Sequence, residues 1–236
     1  MSARPARAGA PTLLVVAKAP VPGVAKTRLA TTVGASAAAT VAAAALLDTL
    51  DVAATSPWPV VIAVAGSFAD GVDADAITAA CAPYRVVAQR GETFAERLTA
   101  AHADADDGHG VVQIGMDTPQ VTPAHLEAVG AGLAEADAVL GPATDGGWWV
   151  LGVRAARWAE PLADVPMSRH DTGERTSDAL ARAGARVAYG PTLSDLDTWD
   201  DAVAIASAAP QTRTARAVQA IAAARRTPGR RAGAAR

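Results

Sequence analysis

The chain is short of cysteine and of aromatic residues, and each shortage removes a class of reading. A single cysteine, Cys81, excludes an internal disulfide and a cysteine zinc cage. A lone thiol of this kind reads as a small buried apolar residue. Aromatics are 4% of the 236 residues, while 50% are hydrophobic. A core is therefore built from Ala, Val and Leu, which favours helices packed on a Val-rich sheet. Neither sign of charge is in large excess. The net charge of −3 argues against broad nucleic-acid binding. No uninterrupted apolar run reaches the roughly eighteen residues of a membrane span, so none is expected. The opening Met1-Ser2-Ala3-Arg4-Pro5-Ala6-Arg7 is basic, but the apolar stretch Leu13 to Ala17 is too short for a signal-peptide core. The expectation is a soluble cytoplasmic protein.

What is present is an alternation of strand and helix patterns. Strands are expected at Thr12–Lys18, Pro59–Ala65, Tyr84–Ala88, Gly110–Met116, Ala136–Leu140, Trp148–Val153 and Arg186–Tyr189. Helices are expected at Ala35–Ala53, Ala74–Ala80, Phe94–Ala105, Asp171–Ala183, Thr198–Ala208 and Thr212–Ala224. A further helix runs through Leu133, with Thr122 as N-cap and Pro123 at its first position. This alternation predicts an α/β fold with three α/β/α layers around a mainly parallel sheet. The domain is expected over residues 11–224, between an N-terminal tail of residues 1–10 and a basic, Gly/Pro-broken tail of residues 225–236.

Four segments carry chemistry. Ala17-Lys18-Ala19-Pro20-Val21-Pro22-Gly23-Val24-Ala25-Lys26-Thr27-Arg28-Leu29 joins the first strand to the first helix. Such a junction points backbone N–H groups at an anion. Lys18, Lys26 and Arg28 suit a diphosphate, although a rigid surface loop with solvated charges reads almost as well. Gly115-Met116-Asp117-Thr118-Pro119 ends the fourth strand, where open α/β sheets bind ligands. Asp117 is there either a metal ligand or the first residue of a turn. Gly141-Pro142-Ala143-Thr144-Asp145-Gly146-Gly147-Trp148-Trp149 joins two apolar runs. Its Asp145 is an acceptor-orienting group, a base or a turn cap. Gly146-Gly147 either lets backbone approach a ligand or makes a hairpin. Trp148 and Trp149 point to opposite faces of a strand, so at most one meets a ligand. Leu193-Ser194-Asp195-Leu196-Asp197-Thr198-Trp199-Asp200-Asp201 holds more acids than an N-cap needs. If this loop folds back near Asp117, two carboxylates from separate strands can share one Mg²⁺ or Mn²⁺ with nucleotide phosphates.

The histidines do not cluster. His102 and His109, near Asp104, Asp106 and Asp107, read as a solvated helix end and loop, and His125 as a solvated first-turn residue. His170 lies in a loop.

Together the four segments resemble a bacterial glycosyltransferase family of unknown substrate with the nucleotide-diphospho-sugar transferase (GT-A) fold. Its A-K-x-P-x-P-G-x-x-K-T-R-L segment is similar to Ala17–Leu29, its G-S-D-x-P to Gly115–Pro119, and its L-G-P-x-x-D-G-G-aromatic-aromatic to Leu140–Trp149. Its D-x-D-T-P-x-D is similar to Asp195–Asp201, and Gln89–Leu98 also looks like a family segment. The resemblance covers roughly residues 12–205. It implies a Rossmann-like GT-A domain with nucleotide over Ala17, Lys18, Pro22, Gly23, Lys26, Arg28 and Arg90. It implies a divalent metal on Asp117 and Asp197, and an acceptor bordered by Asp145, Gly146, Gly147 and Trp148. The chain departs from the family pattern at Met116, at Trp199 in place of Pro, and at Trp148-Trp149.

The leading expectation is metal-dependent transfer of a sugar from a nucleotide-sugar to a small-molecule acceptor, with Asp117 and Asp145 in the catalytic centre. The alternative is nucleotidyl transfer from an NTP to a phosphorylated acceptor, releasing pyrophosphate. The third reading is a nucleotide-binding module without turnover.

Overall fold

The computed structural model describes residues 9–226. The chain forms a seven-stranded sheet in the order β3-β2-β1-β4-β6-β5-β7. The strands are β1 (Thr12–Lys18), β2 (Val60–Ala65), β3 (Arg85–Ala88), β4 (Val111–Gly115), β5 (Ala138–Pro142), β6 (Trp148–Val153) and β7 (Val187–Tyr189). Helices are α1 (Thr27–Val33), α2 (Ala35–Thr55), α3 (Ala74–Cys81), α4 (Phe94–Ala105), α5 (Pro123–Glu135), α6 (Thr172–Arg182), α7 (Trp199–Ala208) and α8 (Arg213–Arg226). Strands β1 to β4 run parallel, β5 and β7 pair in parallel, and β6 lies antiparallel between β4 and β5. The mainly parallel α/β sheet expected from the alternation, and the Rossmann-like form implied by the resemblance, are therefore the sheet observed.

Alternation along β1 shows why the layers form. Leu13, Val15 and Ala17 pack with residues of α2, α3 and α5 on one face. Leu14 and Val16 pack with α4 and α6 on the other. A third apolar cluster, through Leu29, Val41, Leu196, Ile205 and Val218, joins α1, α7 and α8 to the outer side of α2. In length and composition α2 is apolar enough to cross a membrane, but 67% of its most apolar window is buried inside the fold. Its Ala-rich surface serves the sheet on one side and three helices on the other.

Several local expectations need correction. Helix α1 was not expected, because its first residue follows Lys26 in a left-handed conformation (φ 51°) with no side-chain cap. The 3₁₀ segment Ala156–Asp164 was also not expected. Strand β5 runs two residues later than its pattern suggested. Helix α8 continues to Arg226, across the expected tail boundary. The remaining tail positions, 1–8 and 227–236, lie outside the described residues.

Two histidines are not the solvated groups expected. His102 is 0% exposed; its Nε2 pairs with Gln113 Oε1 at 2.9 Å, and burial pushes its pKa down to about 4. His125 is half-buried. It closes a capping box with Thr122 and meets the Trp149 ring edge-on at 5.9 Å.

Candidate functional site

Strand order reverses beside β1, since β2 leaves on one side and β4 on the other. Open α/β sheets bind ligands at such a switch point, outside the carboxyl ends of the strands. A cavity of about 570 Å³ opens there, lined by the ends of β1 and β4, the start of β6, α4 and the loop before α6.

The C-terminal acidic loop is held at this place by backbone pairing, together with side-chain bonds from Gln120 to Ser194 O and from Trp149 to Pro191 O. Leu193 N–H donates to Pro142 O at 3.1 Å, Thr144 N–H to Leu193 O at 3.0 Å, and Leu196 N–H to Asp117 O at 2.8 Å. Leu196 is fully buried, and its neighbours Asp195 and Asp197 both line the cavity at the carboxyl ends of β1 and β4. Thr198 then caps α7 through its own capping box. The Trp199 departure does not displace that cap. Trp199 joins the outer apolar cluster, and the Arg225 guanidinium lies 5.6 Å above its ring.

The result is a chain of charges. Lys26 Nζ donates to Asp117 Oδ2 at 2.8 Å and to Asp197 Oδ1 at 3.0 Å. Arg28 donates to the other oxygen of Asp197. The Lys26 side chain is only 10% exposed. Burial opposes its charge, but Asp117 and Asp197 outweigh that and hold its pKa above the usual value. Nearby, Thr118 donates its hydroxyl to Asp195 Oδ1 at 3.0 Å. Burial, with the Asp117 charge second, pushes the Asp195 carboxyl up to about 8. Gly115 belongs to the same arrangement, because a Cβ there would stand 2.5 Å from Asp117 Oδ1. Met116, another departure, accepts the Lys18 N–H on its sulfur at 3.1 Å, tying the ends of β1 and β4 together.

Other expected residues fall into separate groups. Ala17, Lys18, Lys26, Arg28, Asp117, Asp145, Gly147, Trp148 and Asp197 all line the cavity. Lys18 Nζ is held by Val24 O at 2.8 Å. Pro22, Gly23 and Arg90 are not part of the lining; Arg90 forms an ion pair with Asp104. Asp145 Oδ1 accepts the Gly147 N–H at 2.8 Å, a turn cap. Gly146 has φ 89°, and a Cβ on it would fall 1.8 Å from His170 O. These glycines let the β5–β6 turn lie against the start of α6, where Gly173 N–H donates to Gly146 O at 2.8 Å. The two tryptophans do divide between faces. Trp149 is 1% exposed, in the cluster with α2; Trp148 packs with the α4 cluster and donates to Thr176 at 3.1 Å.

Several lining residues are given no role by the sequence: Gln89, Arg97, Gln113, Asp195 and Arg169. Asp195 is visible as an acid in excess of capping needs and as the first Asp of the segment similar to D-x-D-T-P-x-D. Gln113 sits inside an apolar strand and Arg97 on a helix, where a polar side chain reads as solvated.

Among the described residues, no group of three or more His, Cys, Asp and Glu side chains is arranged to hold a metal by itself. Asp117 and Asp197 still offer hard carboxylate oxygens around one cation, at present the Lys26 ammonium. That donor set fits a Mg²⁺-like ion only where phosphate oxygens complete its shell.

Among curated proteins, none matches this sequence significantly. Solved structures do. A proposed nucleotide-diphospho-sugar transferase from Desulfovibrio desulfuricans G20 is 26% identical, covers 92% of this chain and 97% of its own, and has a TM-score of 0.79. The 4-diphosphocytidyl-2C-methyl-D-erythritol synthase of Anaerococcus prevotii DSM 20548 shares the fold at 10% identity, covering 86% of this chain and 100% of its own, with a TM-score of 0.57. Rv0371c of Mycobacterium tuberculosis H37Rv, solved in complex with manganese, shares it at 23% identity, covering 83% and 97%, with a TM-score of 0.52. The sheet is thus that of the nucleotide-diphospho-sugar transferase-like folds. Over residues 47–169 the sequence matches DUF2064, described as an uncharacterized protein conserved in bacteria, and the chain belongs to that family.

Proposed function

We propose that this protein is a nucleotide-utilising transferase that moves a sugar from a nucleotide-diphosphate sugar to a small-molecule acceptor, assisted by a divalent metal. The observation that carries the reading is the charge chain Lys26–Asp117–Asp197–Arg28 at the β1/β4 switch point. Lys26 and Arg28 are the groups that would hold a diphosphate, Arg28 by its guanidinium fork. Asp117 and Asp197 would hold Mg²⁺ or Mn²⁺ together with the phosphates. When bound, the metal would neutralise charge on the leaving nucleoside diphosphate. A phosphate approaching Lys26 competes with the two carboxylates for the ammonium, and this frees their oxygens for the cation. The manganese held by Rv0371c is consistent with this arrangement. On the acceptor side, the Gly147 N–H occupies one oxygen of Asp145. The second is left for a hydroxyl proton.

Nucleotidyl transfer is the second reading, favoured by the lone carboxylate at the end of β4 and by the shared fold with a diphosphocytidyl-transferring synthase. Product identity separates them. The protein is screened by thermal shift against nucleotide sugars and NTPs, with and without Mn²⁺ or Mg²⁺, and the stabilising pair is incubated with candidate acceptors. Free nucleoside diphosphate supports glycosyl transfer, and pyrophosphate supports nucleotidyl transfer. Nucleotide binding that persists unchanged in Asp117→Asn, without turnover, would leave only a binding module.

A further inference from the structure

Two glutamines on the cavity lining are clamped in opposite senses. Gln89 donates its amide Nε2 to two main-chain carbonyls, Ala17 O at 2.9 Å and Ala63 O at 3.0 Å. Those bonds define which atom is nitrogen, since a carbonyl oxygen cannot face two others. Its Oε1 has no protein partner among the described residues and opens on the cavity as an acceptor. Gln113 is held the other way. It is 3% exposed, and its Oε1 meets His102 Nε2 at 2.9 Å. His102 Nδ1 is buried without a partner. Leaving a lone pair unsatisfied costs less than burying an unpaired N–H, so the proton belongs on Nε2 and is donated to Gln113 Oε1. The Gln113 NH₂ has no protein partner among the described residues either, and it opens on the same cavity as a donor.

Val16, Ala17, Ala65, Leu98 and Phe94 supply apolar lining to the same cavity. Phe94 stays 42% exposed. The nearby cation, Arg97, stacks 5.7 Å from the Phe94 ring. The Lys26–Asp117–Asp197 charges line the same cavity.

We propose that Gln89 and Gln113 read the uncharged ring of the nucleotide-linked substrate, one accepting and one donating a hydrogen bond, and that His102 is the positioning residue that fixes the sense of Gln113. This rests on the nucleotide-transferase reading above and names what that site recognises: a neutral ring bearing both a hydrogen-bond donor and an acceptor. A nucleobase edge and a pair of sugar hydroxyls both supply that chemistry. A clamped amide discriminates because it cannot rotate to suit the wrong partner, and an analogue lacking the group leaves it unpaired.

The test uses the full chain and measures affinities by calorimetry for nucleoside diphosphates differing in base, for nucleotide sugars of one base differing in sugar, and for pyrophosphate alone. Gln113→Met keeps the side-chain shape and removes the donor. His102→Gln and His102→Phe respectively keep and remove the donor that orients Gln113. The expected result is a roughly tenfold loss of discrimination in Gln113→Met, the size of one hydrogen bond, with pyrophosphate affinity unchanged. His102→Phe is expected to lose discrimination likewise, and His102→Gln to restore most of it. Loss among bases assigns the pair to the nucleobase, and loss among sugars assigns it to the sugar. If Gln113→Met binds and discriminates like wild type, the inference fails while the nucleotide reading stands. If wild type binds none of the nucleotides, both fall. Because Gln113→Met removes no apolar volume, the conclusion does not depend on whether the buried His102 variants fold.

Discussion

Lys26 shows most directly how one side chain sets the state of the site. Its ammonium bridges two carboxylates that would otherwise repel each other across the β1/β4 junction. Replacing it with Met leaves those carboxylates facing one another, a local cation site without its occupant. Lys26→Met should therefore bind Mn²⁺ more tightly than wild type when no nucleotide is present, and nucleotide diphosphate more weakly. Calorimetric titration of each ligand checks both signs. Equal Mn²⁺ affinity in the two proteins would show that the ammonium does not compete with metal. His102 gives a second expectation at this scale. Its folded pKa, about 4, lies below its ordinary 6.5, so between these values the unfolded chain binds the proton and the native one does not. Stability is then fully present above about pH 6.5 and falls as pH drops toward 4, by up to about 3 kcal/mol. Urea unfolding from pH 7 to 4 should show the slope, and His102→Gln should flatten it.

At the scale of elements, the joints matter more than the elements themselves. The β5–β6 turn touches the start of α6 so closely that Gly146 admits no side chain, and its φ of 89° belongs to the left-handed region. Gly146→Ala should cost at least about 2 kcal/mol, from strain and from parting the turn from α6. It should also lower activity by moving Asp145 and Trp148. A denaturation midpoint within error of wild type would refute this. Helix α8 has a different joint. Its first turn is capped from another helix, with Asp48 of α2 accepting the N–H groups of Arg213 and Thr214, each at 2.9 Å, and the Thr214 hydroxyl at 2.8 Å. Asp48 is 6% exposed, so Asp48→Ala leaves buried donors without an acceptor. A loss of about 2–3 kcal/mol is expected, with hydrogen exchange in α8 accelerated first. The Asp48 contact cannot be read locally, but Thr212 adds a local cap by accepting the Ala215 N–H at 3.0 Å. The expected start of α8 falls on this capping residue, one before the helix, whereas the start of α4, with its Thr93–Glu96 capping box, is placed to the residue.

At the scale of the molecule, three apolar clusters share α2 or the sheet between them. We propose that residues 11–224 unfold as one unit. Calorimetry should show a single transition whose calorimetric and van't Hoff enthalpies agree, and two separable transitions would overturn that. The charge chain also belongs to this scale, since Lys26, Asp117 and Asp197 are 91 and 171 residues apart in pairs with Lys26.

Periodicity and end signals locate the seven strands and seven of the eight α-helices of the described residues without tertiary information, while α1 and the 3₁₀ segment Ala156–Asp164 escape them. Buried strands such as β1 and β6 announce themselves as short β-branched and apolar runs, and the alternation of strand and helix requires a mainly parallel layered sheet. The Pro/Gly loop, the Asp after β4 and the acidic loop were legible as chemistry because charged residues beside buried strands are costly unless used. Only tertiary structure decided what those residues do to one another. Backbone pairing of Leu193–Leu196 with β5 and the end of β4 carries Asp197 to Asp117, a contact with no trace in either segment alone. Packing of α4 onto β4 buried His102 against Gln113, overriding a polar pattern that locally reads as solvated. Hydrophobic period and capping are short-range properties of the chain, while ion pairs and clamped amides depend on which distant strand ends the sheet order makes neighbours.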